Sequence, residues 1–344
     1  MRQNGISEYR AELMAISMFA ILLTHLKASF GVYALDRVAL LCQGGVDVFL
    51  FLSGFGLYYS GMKSDNPLRF YSKRFKRIFP SFWVVMLLTF WLIDKLHWPN
   101  VLWGGSTLAF WFQSTNKYSF GWFVSLIVVL YAVFPWFFRL FRKHPKIATL
   151  FGVGVGLLLT GMYVYRYQVV YPGGQNRFIL PAARVAIFFL GVYGAHWLVT
   201  EKETSETVKR KEKWLLVSVA LVGLLFLNLA LNAWGFRTMR NTGLLYWSYV
   251  LIIPGFLIAC VWMFQKMRAT SIGTQILNVL KHLGGCTLEA YLLIAVAYSY
   301  VPLVSRQLGI SPLASNLLLL VATVVAAWIT HRVVDGIMRK AKQR

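Results

Sequence analysis

Residues 10–25 read Arg-Ala-Glu-Leu-Met-Ala-Ile-Ser-Met-Phe-Ala-Ile-Leu-Leu-Thr-His, and from Leu13 to Leu26 the only ionisable side chain is His25. So apolar a stretch predicts a helix within a membrane. An ionisable group in such a helix usually faces a bundle interior or a watery cavity, because lipid cannot solvate it. Histidine is also the side chain best suited to take up and return a proton near neutral pH. His25 is therefore the first candidate catalytic residue.

The composition of the whole chain indicates a polytopic membrane protein. Of its 344 residues, 58% are hydrophobic and 14% are charged, whereas soluble domains carry roughly 25% charged residues. The first apolar stretch lacks a small-residue cleavage pattern, so we expect it to remain in the protein as its first span. Three cysteines lie far apart in apolar surroundings, which indicates neither a disulfide framework nor a metal site. They are Cys42, Cys260 and Cys286.

Ten stretches are apolar enough, and near enough to the roughly 20 residues needed, to cross a bilayer as helices. The predicted fold class is therefore all-α, with about ten transmembrane helices in one domain, residues 1–344. Val101–Phe112 is apolar but too short to cross, which favours a re-entrant or interfacial segment. The run Gly152-Val-Gly-Val-Gly156 indicates close helix packing. The candidate spans are residues 11–27, 42–60, 78–96, 121–141, 147–165, 180–199, 214–233, 243–264, 283–304 and 313–333.

The distribution of positive charge predicts the orientation of these spans. Most of the 35 Lys and Arg residues fall in the two tails and in the loops that share their side of the membrane. Cytoplasmic loops carry such an excess, so both termini are predicted to be cytoplasmic. The net charge of +23 therefore reflects topology, and no nucleic-acid partner is expected. The basic C-terminal tail is expected to contact anionic lipid headgroups.

One basic block exceeds what topology requires. It reads Phe70-Tyr-Ser-Lys-Arg-Phe-Lys-Arg-Ile-Phe-Pro80 and precedes the apolar part of the third span. On a helix, Lys73 and Arg77 share a face with a third basic residue three or four positions away. Such a group of cations can hold several phosphate oxygens at once. The alternative is a stop-transfer cluster that touches lipid phosphates. The candidate phosphate-binding residues are Arg69, Lys73, Arg74 and Arg77.

The depths of His25 and Asp47 predict that these two side chains meet. His25 lies roughly 21 Å from the inner end of its helix, and Asp47 lies roughly 8 Å below the outer surface. In a hydrocarbon core about 30 Å thick, both occupy one layer of adjacent antiparallel helices. A carboxylate there would fix the imidazole tautomer and balance its protonated form. Alternatively, Asp47 caps the second helix, since Gly44-Gly45-Val46 precedes it.

Other ionisable groups within the spans have simpler explanations. Glu289 lies near the inner end of the ninth span, where it can be an interfacial acid paired with Lys281 or His282. His196 and His331 lie near cytoplasmic span ends and are expected to contact water. No histidine or cysteine spacing predicts zinc, and no Gly-x-Ser-x-Gly motif is present.

Several blocks along the chain form a recognisable series. They are Arg10…His25; Gly44-Gly-Val-Asp-Val-Phe-Leu-Phe-Leu-Ser-Gly-Phe55; Phe70–Pro80; Gly121-Trp-Phe…Tyr131…Phe134-Pro135; Arg184…Phe189-Leu-Gly191; and Leu280…Leu283-Gly…Leu288-Glu-Ala-Tyr-Leu292. In this order they resemble the acyltransferase-3 family of integral-membrane O-acyltransferases, the second block being the most specific. The resemblance runs essentially from end to end.

Three positions depart from the family pattern. Most relatives have an arginine where this chain has Met14, and Arg10 is the nearest substitute. Many relatives carry a glutamate in the fourth-span motif, which here reads Ser125-Leu-Ile-Val. The histidine that often follows the ninth-span Tyr-Leu-Ile is also missing.

The resemblance implies a stand-alone acyltransferase of the bacterial cytoplasmic membrane. It would move an acyl group, most simply acetyl, from cytoplasmic acyl-coenzyme A to a hydroxyl of a cell-surface or lipid-linked glycan, without a metal. His25 would act as the general base with Asp47 beside it, and the basic block would bind the donor phosphates. Direct transfer, a covalent acyl-histidine, the acceptor sugar, the acyl chain and a homodimer all remain open. The implied substrate-binding residues are Arg10, Glu12, Ser53, Trp122, Arg184 and Glu289.

Two other classes of protein remain as alternatives. Ten spans with ionisable groups at mid-membrane also suit a proton-coupled transporter or a flippase of a glycan or lipid precursor. A transporter predicts an internal inverted repeat, and the sequence shows no such symmetry. An accessory subunit of a glycan-assembly complex predicts no effect from changing His25.

Overall fold

In a computed structural model, the protein is described for residues 5–26, 30, 32–64, 66–94, 98–112, 121–170, 177–200 and 206–343. Within these residues the regular structure is entirely helical, which confirms the predicted all-α class. The helices are α1 Gly5–Glu8, α2 Arg10–Thr24, α3 Tyr33–Leu41, α4 Gly45–Lys63, α5 Pro67–Asp94, α6 Trp98–Gly105, α7 Ala109–Phe112, α8 Trp122–Lys143, α9 Pro145–Tyr165, α10 Ile179–Ala182, α11 Val185–Thr200, α12 Glu206–Asn241, α13 Leu244–Met267, α14 Ser271–Leu283, α15 Thr287–Gln307 and α16 Pro312–Gln343.

The number of candidate spans differs from the prediction by one or two. Among the described residues, eight helices are long and apolar enough to cross a bilayer. A ninth is added if Ser271–Ile294 and Val296–Gln307, which meet at 44°, form one span. The predicted first span is the exception, because α2 has only 15 residues. Helix α2 ends at Thr24. There the Thr24 hydroxyl and the His25 ring both form hydrogen bonds to the carbonyl oxygen of Ile21.

The described residues form two compact units, each assembled from three separated segments. The first unit draws on Met1–Met14, Val46–Asn66 and Ala132–Val279. The second unit draws on Ala15–Gly45, Pro67–Tyr131 and Leu280–Arg344. Because the segments alternate along the sequence, each unit depends on contacts between residues far apart in the chain.

In the first unit, α4 and α11 touch backbone to backbone at two glycines. A Cβ atom added to Gly54 would lie 2.0 Å from the carbonyl oxygen of Phe188. One added to Gly191 would lie 2.1 Å from the carbonyl oxygen of Phe51. Small residues permit this close approach, which drives helix association in lipid. Elsewhere in this unit a Cβ on Gly152 would lie 2.4 Å from the Phe189 ring and one on Gly156 would lie 3.1 Å from the Ala186 nitrogen, so two of the three glycines of the α9 run pack closely, as predicted.

We expect Gly54→Ala to destabilise the protein by about 1–3 kcal/mol, because the added methyl group forces the two backbones apart. The matched control is Gly154→Ala on α9, where an added Cβ would have no neighbour within 4 Å. Thermal stability of the detergent-solubilised variants, followed by size-exclusion chromatography, measures the effect. Equal stability of the two variants would contradict the close crossing at Gly54.

In the second unit, α5 and α15 run parallel and in register. The Ser81 hydroxyl donates to Glu289 Oε1 at 2.6 Å, and the Tyr300 hydroxyl donates to the carbonyl oxygen of Leu92 at 2.8 Å. Leu92 lies eleven residues after Ser81, and Tyr300 lies eleven residues after Glu289. The two contacts are therefore separated by roughly 16 Å along both helices.

Candidate active site

His25 follows the last residue of α2 with one ring nitrogen fixed by the backbone. Its Nδ1 lies 2.8 Å from the carbonyl oxygen of Ile21, which also accepts the Thr24 hydroxyl at 2.7 Å. This carbonyl belongs to the last helical turn, where no amide of the helix is available to bond it. A carbonyl oxygen can only accept, so Nδ1 carries the ring proton. In the neutral ring, Nε2 then carries the lone pair that a general base needs.

The ring of Tyr298 on α15 packs edge-on against His25. The two ring centroids are 6.3 Å apart and the planes meet at 84°. Tyr298 was not identified from the sequence, because nothing in its spacing relates it to His25. Together with the bond to Ile21, this contact restricts the orientation of the imidazole ring.

Asp47 forms a buried ion pair with Arg184. Arg184 Nε lies 3.1 Å from Asp47 Oδ2, and the side chains are 2% and 1% exposed. The guanidinium also lies over the ring of Tyr246, at 4.2 Å from its centroid. The structure thus joins two residues that the sequence assigned to separate roles. The pairing of Asp47 with His25 stays a prediction.

The position of Asp47 also agrees with a role at the start of its helix. Asp47 lies in the first turn of α4, which begins at Gly45. A carboxylate there is stabilised by the positive end of the helix dipole. The helix dipole and the ion pair with Arg184 therefore act on the same carboxylate, and the variants described in the Discussion distinguish the role of the charge from that of the fold.

The basic block divides into two parts on α5. Three of its candidate residues are exposed and spaced four residues apart: Arg69, Lys73 and Arg77. The fourth, Arg74, points to another side of the helix and is half-buried. Its Cζ atom lies 5.3 Å from the Phe70 ring centroid and 5.8 Å from that of Tyr131. Cation–π contacts of this kind hold a guanidinium at the edge of an apolar region.

Glu289 is the centre of a second polar cluster. Its Oε1 accepts from the Ser81 hydroxyl and lies 3.1 Å from His331 Nδ1, while His331 Nε2 lies 3.7 Å from Asp335 Oδ2. Lys281 and His282, the partners considered for Glu289 from the sequence, are exposed. That interpretation was wrong, because Glu289 turns inward to meet α5 and α16. His331 is 30% exposed, so it keeps the predicted access to water on one side.

The remaining predicted site residues have simpler surroundings. Arg10 Nη2 donates to the carbonyl oxygen of Leu52 at 3.1 Å, and Glu12 is 6% exposed. Ser53 on α4 and Trp122, the first residue of α8, are half-buried. In the described part of the chain, no group of three or more His, Cys, Asp or Glu side chains is placed to hold a metal ion.

The sequence of the chain also matches a known protein family. A family model described as an acyltransferase domain matches residues 13–332, nearly the whole chain. Neither the curated proteins nor the solved structures contain a match. The family match includes His25, Asp47, the basic block, Arg184 and Glu289. The chain therefore belongs to the acyltransferase-3 family and is a multi-pass membrane acyltransferase.

Proposed function

We propose that the protein transfers an acyl group, most simply acetyl, from acyl-coenzyme A to a hydroxyl of a cell-surface or lipid-linked glycan. The supporting observation is the 2.8 Å contact of His25 Nδ1 with the carbonyl oxygen of Ile21, which favours the tautomer in which Nε2 can accept a proton. An acyl transfer to a hydroxyl needs such a base, because a neutral alcohol is a weak nucleophile. The proposed location is the bacterial cytoplasmic membrane, where a cytoplasmic donor and a surface-bound acceptor can meet.

In the proposed reaction, His25 Nε2 accepts the proton of the acceptor hydroxyl as its oxygen attacks the thioester carbonyl carbon. The tetrahedral intermediate then collapses and its carbon–sulfur bond breaks. Coenzyme A leaves as the thiolate, and the acyl group remains on the acceptor oxygen. The imidazolium returns its proton to the thiolate, which restores the neutral ring. The alternative route begins with attack by the Nε2 lone pair itself, which gives an acyl-histidine before the hydroxyl arrives.

The exposed row on α5 supports the choice of donor. Arg69, Lys73 and Arg77 extend over roughly 12 Å of one helix face. Coenzyme A carries a diphosphate and a separate phosphate on its ribose, so its charges are also spread out. Guanidinium groups bind phosphate through paired hydrogen bonds. We therefore assign the nucleotide end of the donor to this row.

We expect Arg77→Gln to weaken binding of coenzyme A by roughly 10 to 150-fold, because a hydrogen bond to a charged group contributes about 1.5–3 kcal/mol. Arg77→Lys should recover only part of the loss, since an ammonium group cannot form the paired bonds. The measurement is calorimetry on the purified protein, repeated at raised salt, which should also weaken binding. Lys143→Gln, at an exposed position at the end of α8, controls for the loss of one charge. A stop-transfer role predicts unchanged affinity in Arg77→Gln.

The proposed function is tested by acyl transfer itself. Membranes with and without the protein are supplied with isotope-labelled acetyl-coenzyme A, and surface glycans and glycolipids are analysed by mass spectrometry. The proposal expects a protein-dependent mass increase of one labelled acetyl group on a glycan. A transporter predicts altered distribution of an unmodified precursor, and that result would replace the proposal.

A further inference from the structure

The cluster of Ser81, Glu289 and His331 has no role in the proposed reaction so far, although it places a carboxylate inside the second unit. Glu289 is 4% exposed. Burying an ionised carboxylate in a membrane span is costly unless hydrogen-bond donors surround it. A serine hydroxyl and a histidine ring meet that need in part, and both bond the same oxygen, Oε1.

The cluster lies between the basic row that is proposed to bind the donor phosphates and His25, the proposed base. Ser81 follows Arg77 by four residues, so it lies roughly 6 Å beyond the exposed basic row along α5. Tyr298 follows Glu289 by nine residues, roughly 14 Å farther along α15, which bends by 44° between Ile294 and Val296. Tyr298 packs against His25. The cluster therefore lies between the basic row and the candidate base, within one unit of the protein.

The chemistry of the cluster favours a ligand that donates hydrogen bonds. Two carboxylates, Glu289 and Asp335, face one imidazole, so acidic groups outnumber basic groups in the cluster. Among the described residues, both hydrogen bonds to Glu289 fall on Oε1, which leaves lone pairs on Oε2. The Ser81 oxygen donates its proton and keeps its own lone pairs as acceptors. An anionic phosphate would be repelled here, whereas an amide N–H would be bound.

We propose that this cluster binds the amide groups of the pantetheine arm of acyl-coenzyme A as the arm extends toward His25. This inference rests on the proposed function, because it assumes that donor. The arm has two amide N–H groups, and about six bonds, roughly 7 Å, separate the phosphorus from the first amide nitrogen. That length agrees with the roughly 6 Å between Arg77 and the level of Ser81 and Glu289. About eight further bonds, roughly 10 Å, lead to the thioester carbonyl carbon, toward the level at which Tyr298 contacts the His25 ring. A phosphate held by Arg77, an amide held by Glu289 and a thioester at His25 thus follow one another in the order of the donor's own atoms.

The test compares coenzyme A with 3′-phospho-ADP, which is the same nucleotide without the arm. Binding of each to the purified full-length protein is measured by calorimetry. We expect Glu289→Gln to lower the affinity for coenzyme A about tenfold, the usual difference between a charge-assisted and a neutral hydrogen bond. Ser81→Ala should lower it several-fold. Affinity for 3′-phospho-ADP should stay within twofold in both variants, which also shows that they are folded. Asp36→Asn, the same change at a half-buried carboxylate of α3 in this unit, is the matched control.

Each other outcome overturns the assignment. Unchanged affinity for coenzyme A in both variants removes the cluster from the donor path. An equal loss for coenzyme A and 3′-phospho-ADP shows a disturbed nucleotide site or fold. A change confined to the KM of the acceptor assigns Glu289 to the acceptor. If the wild-type protein binds both probes equally, the arm makes no contribution and only this inference fails. If it binds neither, the proposed donor fails as well.

Discussion

Replacement of His25 with alanine is expected to lower acyl transfer by about 10² to 10⁴-fold, the usual contribution of a general base. The catalytic atom lost in this variant is Nε2, because the bond from Nδ1 to the Ile21 carbonyl leaves Nε2 as the basic nitrogen. The amount of protein in the membrane should not change, since the Thr24 hydroxyl still bonds the same carbonyl. Initial rates with labelled acetyl-coenzyme A, divided by the amount of protein on an immunoblot, measure the effect.

The control for this substitution is His144→Ala. His144 is exposed and precedes α9, and its side chain makes no capping hydrogen bond there. It should retain wild-type activity. Activity of His25→Ala within a few-fold of wild type would exclude His25 as the base. Loss of His25→Ala from the membrane would indicate that the imidazole mainly serves the fold, through its contacts with Ile21 and Tyr298.

The helical architecture could be predicted because hydropathy and span length are local properties. The first span differs for an equally local reason, since Thr24 and His25 end α2 by bonding the carbonyl of Ile21. Hydropathy registers both residues only as an interruption. Whether a side chain stops a helix depends on the rotamer it adopts, and composition does not determine rotamers.

Partners of the buried charges could not be predicted from depth. Depth placed Asp47 in one layer with His25, but it carries no information on the direction in which a helix faces. In the structure the Asp47 carboxylate pairs with Arg184, and the guanidinium lies over the ring of Tyr246. Glu289 shows the same limit, because Ser81 and His331 come from helices more than forty residues away in sequence.

The helical period correctly predicted which residues share a face within a single helix. It predicted that Lys73 and Arg77 share a face of α5, and the structure leaves both exposed at that spacing. The period did not predict that Arg74 turns toward Tyr131, because that contact joins α5 to α8. Tyr131 belongs to the fourth-span block that resembles the family motif. The sequence therefore contained the aromatic partner of Arg74, but no spacing pattern related the two residues.

The ion pair of Asp47 and Arg184 gives the second large expected effect. In Asp47→Asn, the buried guanidinium loses its counter-charge, and breaking such a pair costs about 3–5 kcal/mol. Arg184→Gln should cost about as much, because it leaves the carboxylate alone. The double variant Asp47→Asn with Arg184→Gln leaves no uncompensated charge and should regain most of the stability. Thermal stability of the solubilised proteins measures all three.

Activity of the stable double variant then separates structure from chemistry at Asp47. Asparagine caps a helix as well as aspartate does, so the start of α4 should lose only the interaction of the charge with the helix dipole, about 0.3–1 kcal/mol. If the Asp47 charge also balances a protonated His25, as the sequence predicts, the double variant should be folded but slow, because neither amide carries a charge. Turnover per folded molecule is the quantity to compare, using the labelled-acetyl assay on the fraction that elutes as folded protein. Near-wild-type turnover in the double variant would mean that Asp47 serves the catalytic domain only by neutralising Arg184.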